Sequence, residues 1–537
     1  MAGARNGRSP RAAAAVLAVA ALTLTACGGS AATAPGSTAA SASASATSPA
    51  SSTAASATST GTAAGARVLN VAIAGDPIGF DPYLTAAANT VAITWNIYDQ
   101  LVTVDAQGNL KPDLATSWSL SPDGRTLTFH LRSGVRFQDG HTLTSADVKA
   151  SFQRMLNPAT KDPDASDYKV ITAIDTPNAS TVVMHLASYD AALLSDLALP
   201  FAAIEPAGVN PSTLKSKPDG TGPYELASYT PGQDVVLKAN PYYWQPGLPH
   251  IPTVDLKIVP DPSTQIADLL AGSIDLLPGL SGEQASQLKG QSGVKISQAP
   301  SGNIQIMAIN NARKPFNDVR VRQALSLAIN RQAVVQGAWF GYATPVGTFL
   351  PPNSPYYVAQ PTPYDPAQAR KLLAEAGYPN GFASTIDLPS LYPVHVQTGQ
   401  IIAAELAKIG VQLKLNEVEW ATWLSQDYAK RDYNLTVISH TGRLDPDTLL
   451  VRFTSTYPYD YENYSNPTYN RLIAEGRATA DVAKRKQIYA QAQKILATDV
   501  PAVFLDVSDN VAAMLPSVSG WQWLPLAVDQ LAQVQMR

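Results

Sequence analysis

Residues 439–447, SHTGRLDPD, place His440, Arg443, Asp445 and Asp447 in one short stretch. A histidine with two carboxylates is the donor set of acid–base catalysis or metal ligation, and a guanidinium is a fork for carboxylate or phosphate. Catalysis finds little support in the spacing. Two acids at i and i+2 offer no obvious division between proton donor and acceptor, and Asp-Pro is a common way to start a turn. The six histidines, at 130, 141, 185, 250, 395 and 440, form no i, i+4 pair that would hold a metal on one helix face. No G-x-S-x-G elbow, H-E-x-x-H helix, P-loop or dinucleotide fingerprint occurs. The expectation is no enzyme, no metal and no cofactor, with the stretch serving as a ligand clamp or as a turn.

The elements that would position it are legible from periodicity. Leu435, Thr436, Val437 and Ile438 predict a strand running into His440. Residues 68–73, 126–131 and 182–186 also predict strands, the last two alternating with period two, which places His130 and His185 on solvated faces. Thr144 and Asp147 make a capping-box-like start to a helix whose stripe is Val148, Phe152 and Met155. Asp365-Pro366 caps another, with Ala369, Leu372, Leu373 and Ala376 as its stripe and Gly377 as its stop. Residues 321–335, with Asn317-Asp318 as their cap, 397–409 and 482–496 predict further helices, and 411–415 a strand. The class is mixed α/β.

With 537 residues the chain is too long for one core. A net charge of −4 without a dense Lys/Arg run gives no case for nucleic acid. The single cysteine, Cys27, excludes a disulfide framework. It follows Arg5, Arg8 and Arg11, an apolar run over 12–22, and Leu24-Thr25-Ala26. That order predicts an export signal over 1–26, too short to span a bilayer permanently. Leu24 to Cys27 resembles the bacterial lipoprotein lipobox, which implies lipidation of Cys27 and a mature chain anchored outside the cytoplasmic membrane. Residues 27–66, nearly all Ala, Ser, Thr and Gly after the cysteine, predict a disordered leash.

Four long segments carry a family resemblance. They are IYDQLVTVDAQGNLKPDLATSWSLSPDGRTLTFHLRSGVRFQDGHTLTSADVKASFQRMLNP (97–158), GTGPYELASYTPGQDVVLKANPYYW (220–244), FNDVRVRQALSLAINRQAVV (316–335) and NYSNPTYNRLIAEGRATADVAKRKQIYAQAQKILATDVPAVFL (463–505). In that order they resemble the bacterial extracellular solute-binding proteins of family 5, the peptide and nickel receptors of ABC importers. The resemblance implies a two-lobed, type II periplasmic-binding-protein clamp with an inserted domain. Lobe I would comprise 67–101, 220–308 and 502–537; the extra domain, 102–219; lobe II, 309–501. It implies a monomeric receptor that closes on a peptide or similarly sized solute and docks on ABC permease subunits.

Laid on the family's peptide-binding pattern, His440 takes the place of a tryptophan that packs on the peptide, and Arg443 that of an aspartate that binds its ammonium. A guanidinium instead selects an anionic or strongly accepting group, which argues against ordinary free-amine peptides. The other reading is that Arg443 pairs with Asp445 or Asp447 and only fixes the loop. The remaining candidates for ligand contact are Phe80, Tyr98, Asn310, Tyr392, His395 and Trp420. Rival functions are a surface receptor that signals and, further off, an exported hydrolase.

Overall fold

The computed structural model describes residues 67–84, 87–525, 528 and 530–537; the export signal, Cys27 and the leash lie outside them. A large sheet organises the described chain. Its order is Gln412–Val418, Ala383–Pro389, Leu435–His440, Lys295–Ile309, Ala502–Met514, Leu276–Leu277, Val68–Ile73, Thr253–Ile258, Asp234–Ala239 and Tyr224–Thr230, with Ala343–Pro345 pairing onto Ala502–Met514.

Two long strands carry the chain from one half of this sheet to the other. Lys295–Ile309 and Ala502–Met514 pair antiparallel, but their register breaks between Pro300 and Ile304 and again between Gln305 and Ile306. On one side of the breaks, Met514 and Ala513 pair with Leu276–Leu277; on the other, Ile304 to Ile309 pair with Leu435–His440. Gly302, in the first break, adopts φ +85°, a left-handed backbone that glycine accepts without Cβ strain.

A second sheet of four antiparallel strands stands apart, in the order Ala115–Leu120, Thr126–Leu131, Thr181–Leu186, Ile171–Asn178. The expected alternation holds on its middle strands: Phe129, Val182 and Met184 are wholly buried, and His130 is exposed. Helix Ser145–Met155 covers this face with Val148, Phe152 and Met155. That core is continuous with Leu69, Val71 and Ile73 of the first half-sheet. The other half-sheet has its own cores, one around Leu325, Ile386, Leu406 and Val503, the other around Phe349, Tyr461, Tyr489 and Leu496.

Two elements differ from expectation. The single helix expected over 321–335 is two, Val319–Ala328 and Arg331–Ala338. Between them Ile329 is extended and buried, and the Asn330 side chain accepts from Ala333 N to start the second helix. An N-cap residue inside an apolar period outweighed the period. The helix expected from 397 begins earlier, at Pro393, and runs to Ala407, so His395 lies in its first turn rather than in a loop.

The buried Asp147 ties the four-stranded domain together. Its carboxylate accepts from Thr144 N at 2.7 Å, Thr144 Oγ1 at 2.8 Å and Ala207 N at 2.8 Å. Asp147→Ala strands these donors and should cost roughly 2–3 kcal/mol. Thr144→Ala should cost about 1 kcal/mol. Chemical unfolding of the two variants against the parent checks the order.

Candidate functional site

An ion pair builds the stretch from Ser439 to Asp447. Asp445 caps helix Pro446–Leu450 through Asp447 N, so the Asp-Pro pair starts a helix instead of making a free turn. Its carboxylate takes both Arg485 Nη1, at 2.6 Å, and Arg485 Nη2, at 2.7 Å. Both side chains are at most 5% exposed. The rings of Tyr356 and Tyr489 lie 5.3 and 5.0 Å from the guanidinium carbon, adding cation–π attraction. Asp447 accepts from Arg477 Nε at 2.7 Å and Tyr489 Oη at 3.1 Å. Both carboxylates are therefore occupied, and neither holds Arg443.

Arg443 turns the other way. Its Nη1 lies 3.8 Å from Asp167 Oδ2, the two side chains 29% and 32% exposed. Asp167 belongs to the turn Ala165–Tyr168, between helix Ser145–Met155 and the four-stranded sheet's strand Ile171–Asn178. The next residue, Leu444, packs against the core that this domain shares. Just before it, Gly442 meets Gly302 so closely that a Cβ would lie 2.5 Å from the Gly302 carbonyl oxygen.

Beside Leu444 opens a cavity of about 590 Å³. The four-stranded domain contributes Trp118, Leu120, Leu186 and Leu194; the other half of the protein contributes Tyr356, Leu444 and Val482. The polar lining residues are Asn109, Ser119, Tyr189, Asp190, Ser195, Asp445, Arg485 and Lys486. A mostly apolar cleft of this size with convergent polar groups, at a meeting of domains, suits a peptide-sized molecule. Among the described residues no group of His, Cys, Asp and Glu could hold a metal ion.

The other candidates fall into two sets. Phe80, Tyr98 and Asn310 are buried and spent on packing. Phe80 sets its ring edge-on to Tyr229 at 5.6 Å, Tyr98 donates its hydroxyl to Phe80 O at 3.3 Å, and Asn310 Nδ2 donates to Arg431 O and Tyr433 O. None of these three lines the cavity, and each is at most 2% exposed.

Tyr392, His395, Trp420 and His440 do come together, along an aromatic chain. Tyr392 is edge-on to Trp420 at 5.4 Å, Trp420 stacks on Trp423 at 5.1 Å, Trp423 meets Tyr461 at 6.1 Å, and Tyr461 stacks on His440 at 6.1 Å. His440 Nε2 is 2.9 Å from Tyr461 Oη, and burial holds its pKa well below the usual histidine range, Arg452 adding to this. His395 is 3% exposed, with Nε2 3.1 Å from Ser439 Oγ and Nδ1 lacking a partner. Burial pushes it down to about 4. Tyr392, at 40% exposed, is the open end of the chain. Trp118, Tyr356 and Asp167 were missed by sequence reasoning; the dense acids of DPDASD, 162–167, were the one local signal for the last.

Two half-sheets joined by a pair of through-running strands, with a separate four-stranded domain, define the two-lobed α/β fold of periplasmic binding proteins carrying an extra sheet domain. The same fold is seen in HbpA2 from Haemophilus parasuis, at TM-score 0.80 and 26% identity over 88% of this chain and 100% of that one. The chain belongs to the bacterial extracellular solute-binding proteins, family 5, whose model matches residues 109–461, and proteins of this family bind solutes without catalysis. It is 31% identical to the glutathione-binding protein GsiB of Escherichia coli K12 over 481 residues, 86% of this chain and 93% of that protein. It is also similar to the periplasmic binding protein DppA from Helicobacter pylori in complex with the peptide STSA, at TM-score 0.70 and 27% identity over 88% of this chain and 98% of that one.

Arg485→Ala leaves Asp445 buried without its counter-charge and should cost roughly 3–5 kcal/mol, whereas the paired change Arg485→Met with Asp445→Leu should cost much less; thermal unfolding distinguishes them. His395 is kept neutral in the folded chain at about 4 against an ordinary 6.5, so its contribution to stability is lost as pH falls from 6.5 toward 4. The full loss is on the order of 3 kcal/mol. His395→Gln should flatten that part of the stability–pH profile.

Proposed function

We propose that this protein is an extracytoplasmic receptor that captures a peptide or peptide-sized solute between its lobes and delivers it to an ABC permease. The observation that carries this reading is the cavity between the four-stranded domain and the second half of the protein, lined by Trp118, Leu120, Tyr356 and Leu444. The glutathione named for one relative and the peptide STSA bound by a structural one are ligands of the size such a cavity admits. The lobes would turn on the irregular stretch of Lys295–Ile309 and Ala502–Met514, where the pairing breaks. Such a hinge would set the lobe border a few residues inside the limits expected from sequence. Closure about such a hinge is the usual motion of two-domain binding proteins.

Arg443 is proposed to receive an anionic group of the ligand, with Tyr392 and Trp420 as aromatic surface at the open end of their chain and His440 and His395 supporting them from within. Cys27 after Leu24-Thr25-Ala26 supports lipid anchoring at the outer face of the membrane. Among the described residues no helix is long and apolar enough to cross a membrane.

Calorimetric titration of the purified chain with glutathione, tripeptides and small anionic metabolites tests the reading. One member should bind at one per chain and be recovered intact, and Arg443→Ala should weaken it at least tenfold. Failure of the whole panel, or turnover of the bound member, contradicts it.

A further inference from the structure

The second break in the long strands holds a polar row. Gln305 pairs with Asp506 on one side and with Ser439 on the other. Register partners in an antiparallel sheet share a face, so the three side chains stand in line. Leu505 is then skipped, because Ile306 pairs with Phe504, and this extra residue makes a bulge. Arg331 Nε donates to Phe504 O at 2.6 Å and Val346 N to Leu505 O at 3.1 Å, which fixes the bulge from both of its carbonyls. Helix Pro393–Ala407 satisfies one end of the row: Thr398 Oγ1 donates to Gln305 Oε1 at 3.0 Å, and His395 Nε2 lies 3.1 Å from Ser439 Oγ.

The other end is not satisfied. Gln305 Nε2 and both carboxyl oxygens of Asp506 are buried without a hydrogen bond among the described residues, and both residues are 0% exposed. From helix Arg331–Ala338 and its C-cap, Arg331 and the Trp339 indole face the Asp506 carboxyl. The guanidinium does not pair with it: besides Phe504 O, its donors go to Ser326 O and Ser326 Oγ. The indole lies near without hydrogen-bond geometry. Pro345, the register partner of Asp506 on its other side, brings no charge, and His395 is held neutral. A carboxylate without a donor or a close cation is costly in such a place, and a carboxylic acid is far less so. Burial accordingly holds the pKa of Asp506 well above the ordinary 3.8.

The lobes are together in this structure: Arg443 lies across from Asp167, and Tyr189 Oη of the four-stranded domain donates to Thr479 O at 3.5 Å. We propose that Asp506 carries a proton while the lobes are together and gives it up to solvent when they part, which makes the hinge a proton-linked switch. This rests on the hinge reading above and adds a regulator to it. Bending at the bulge admits water to Asp506; the proton leaves to that water, and the hydrated carboxylate stays behind. The closed form keeps the proton to higher pH than the open form does. Closure is therefore fully favoured below the open form's value and is lost as pH rises from there through the closed form's value. Between the two values, each pH unit shifts the ratio of closed to open chains about tenfold.

Infrared difference spectra and small-angle X-ray scattering of the full chain, the parent beside Asp506→Asn and Asp506→Leu, test this. At neutral pH the parent should show the carbonyl band of a buried neutral carboxylic acid that both variants lack. From mildly acid to mildly alkaline buffer the parent's radius of gyration should increase, while the two variants, uncharged throughout, should stay compact. Each exchanges one neutral group for another of similar size, so at least one should fold as the parent does. Failure of both to fold would show that a charge is required opposite Arg331, and it overturns the proposal. A missing band, a radius that does not change with pH, or the same change in the variants overturns it as well. Scattering at fixed pH with glutathione or trialanine added separates the hinge reading. Contraction with either solute keeps that reading where the proton link fails, and a radius that answers to neither solute nor pH removes both.

Discussion

The buried pair of Asp445 and Arg485 is the constraint on which the site depends. It joins the loop after strand Leu435–His440 to helix Val482–Asp499, two segments distant in sequence. With Asp445 fixed, the two preceding side chains have separate directions: Leu444 goes to the cavity and Arg443 to Asp167 beside the four-stranded sheet. Opposite charges taken from water are costly unless their geometry is near ideal. Here both guanidinium nitrogens find carboxylate oxygens at 2.6 and 2.7 Å, and two tyrosine rings enclose the cation. The pair thus specifies a position for the loop that apolar packing alone would leave free to slide.

From that fixed loop the contacts pass to the strands that connect the two halves. Gly442 lies against Gly302, and Gly302 sits where Lys295–Ile309 loses register with Ala502–Met514. A break in pairing removes ladder hydrogen bonds and lets a strand bend. The site loop and the stretch of the long strands where pairing breaks therefore touch through backbone, with no side chain between them to absorb a shift. In the proposed closure, that contact would couple movement of the lobes to reorientation of Arg443.

Much of the fold was legible because its signals are local or long. Thr144 with Asp147, Asp365-Pro366 and the alternating strand 126–131 announce their elements within a few residues, and the family segments fix their order. The helix over 321–335 misled because Asn330 breaks a continuous apolar period, and only the buried, extended Ile329 reveals why the break is tolerated. The site was less legible. Phe80, Tyr98 and Asn310 follow or flank strands, as cleft residues do, yet the packing of remote segments encloses them. The partner of Arg443 could not be read from its neighbours: Asp445 and Asp447 are nearer in sequence, but Arg485 and Arg477 claim them first. A cavity wall made from Trp118, Tyr356 and Leu444 has no signature in any single stretch of chain.

The claim that two lobes close on a solute about these strands is tested most directly by small-angle X-ray scattering of the chain, alone and at saturating concentration of whichever solute calorimetry selects. Closure predicts a smaller radius of gyration and a shorter maximum dimension with ligand bound, reversed when the ligand is dialysed away intact. A scattering profile unchanged at saturation would contradict it.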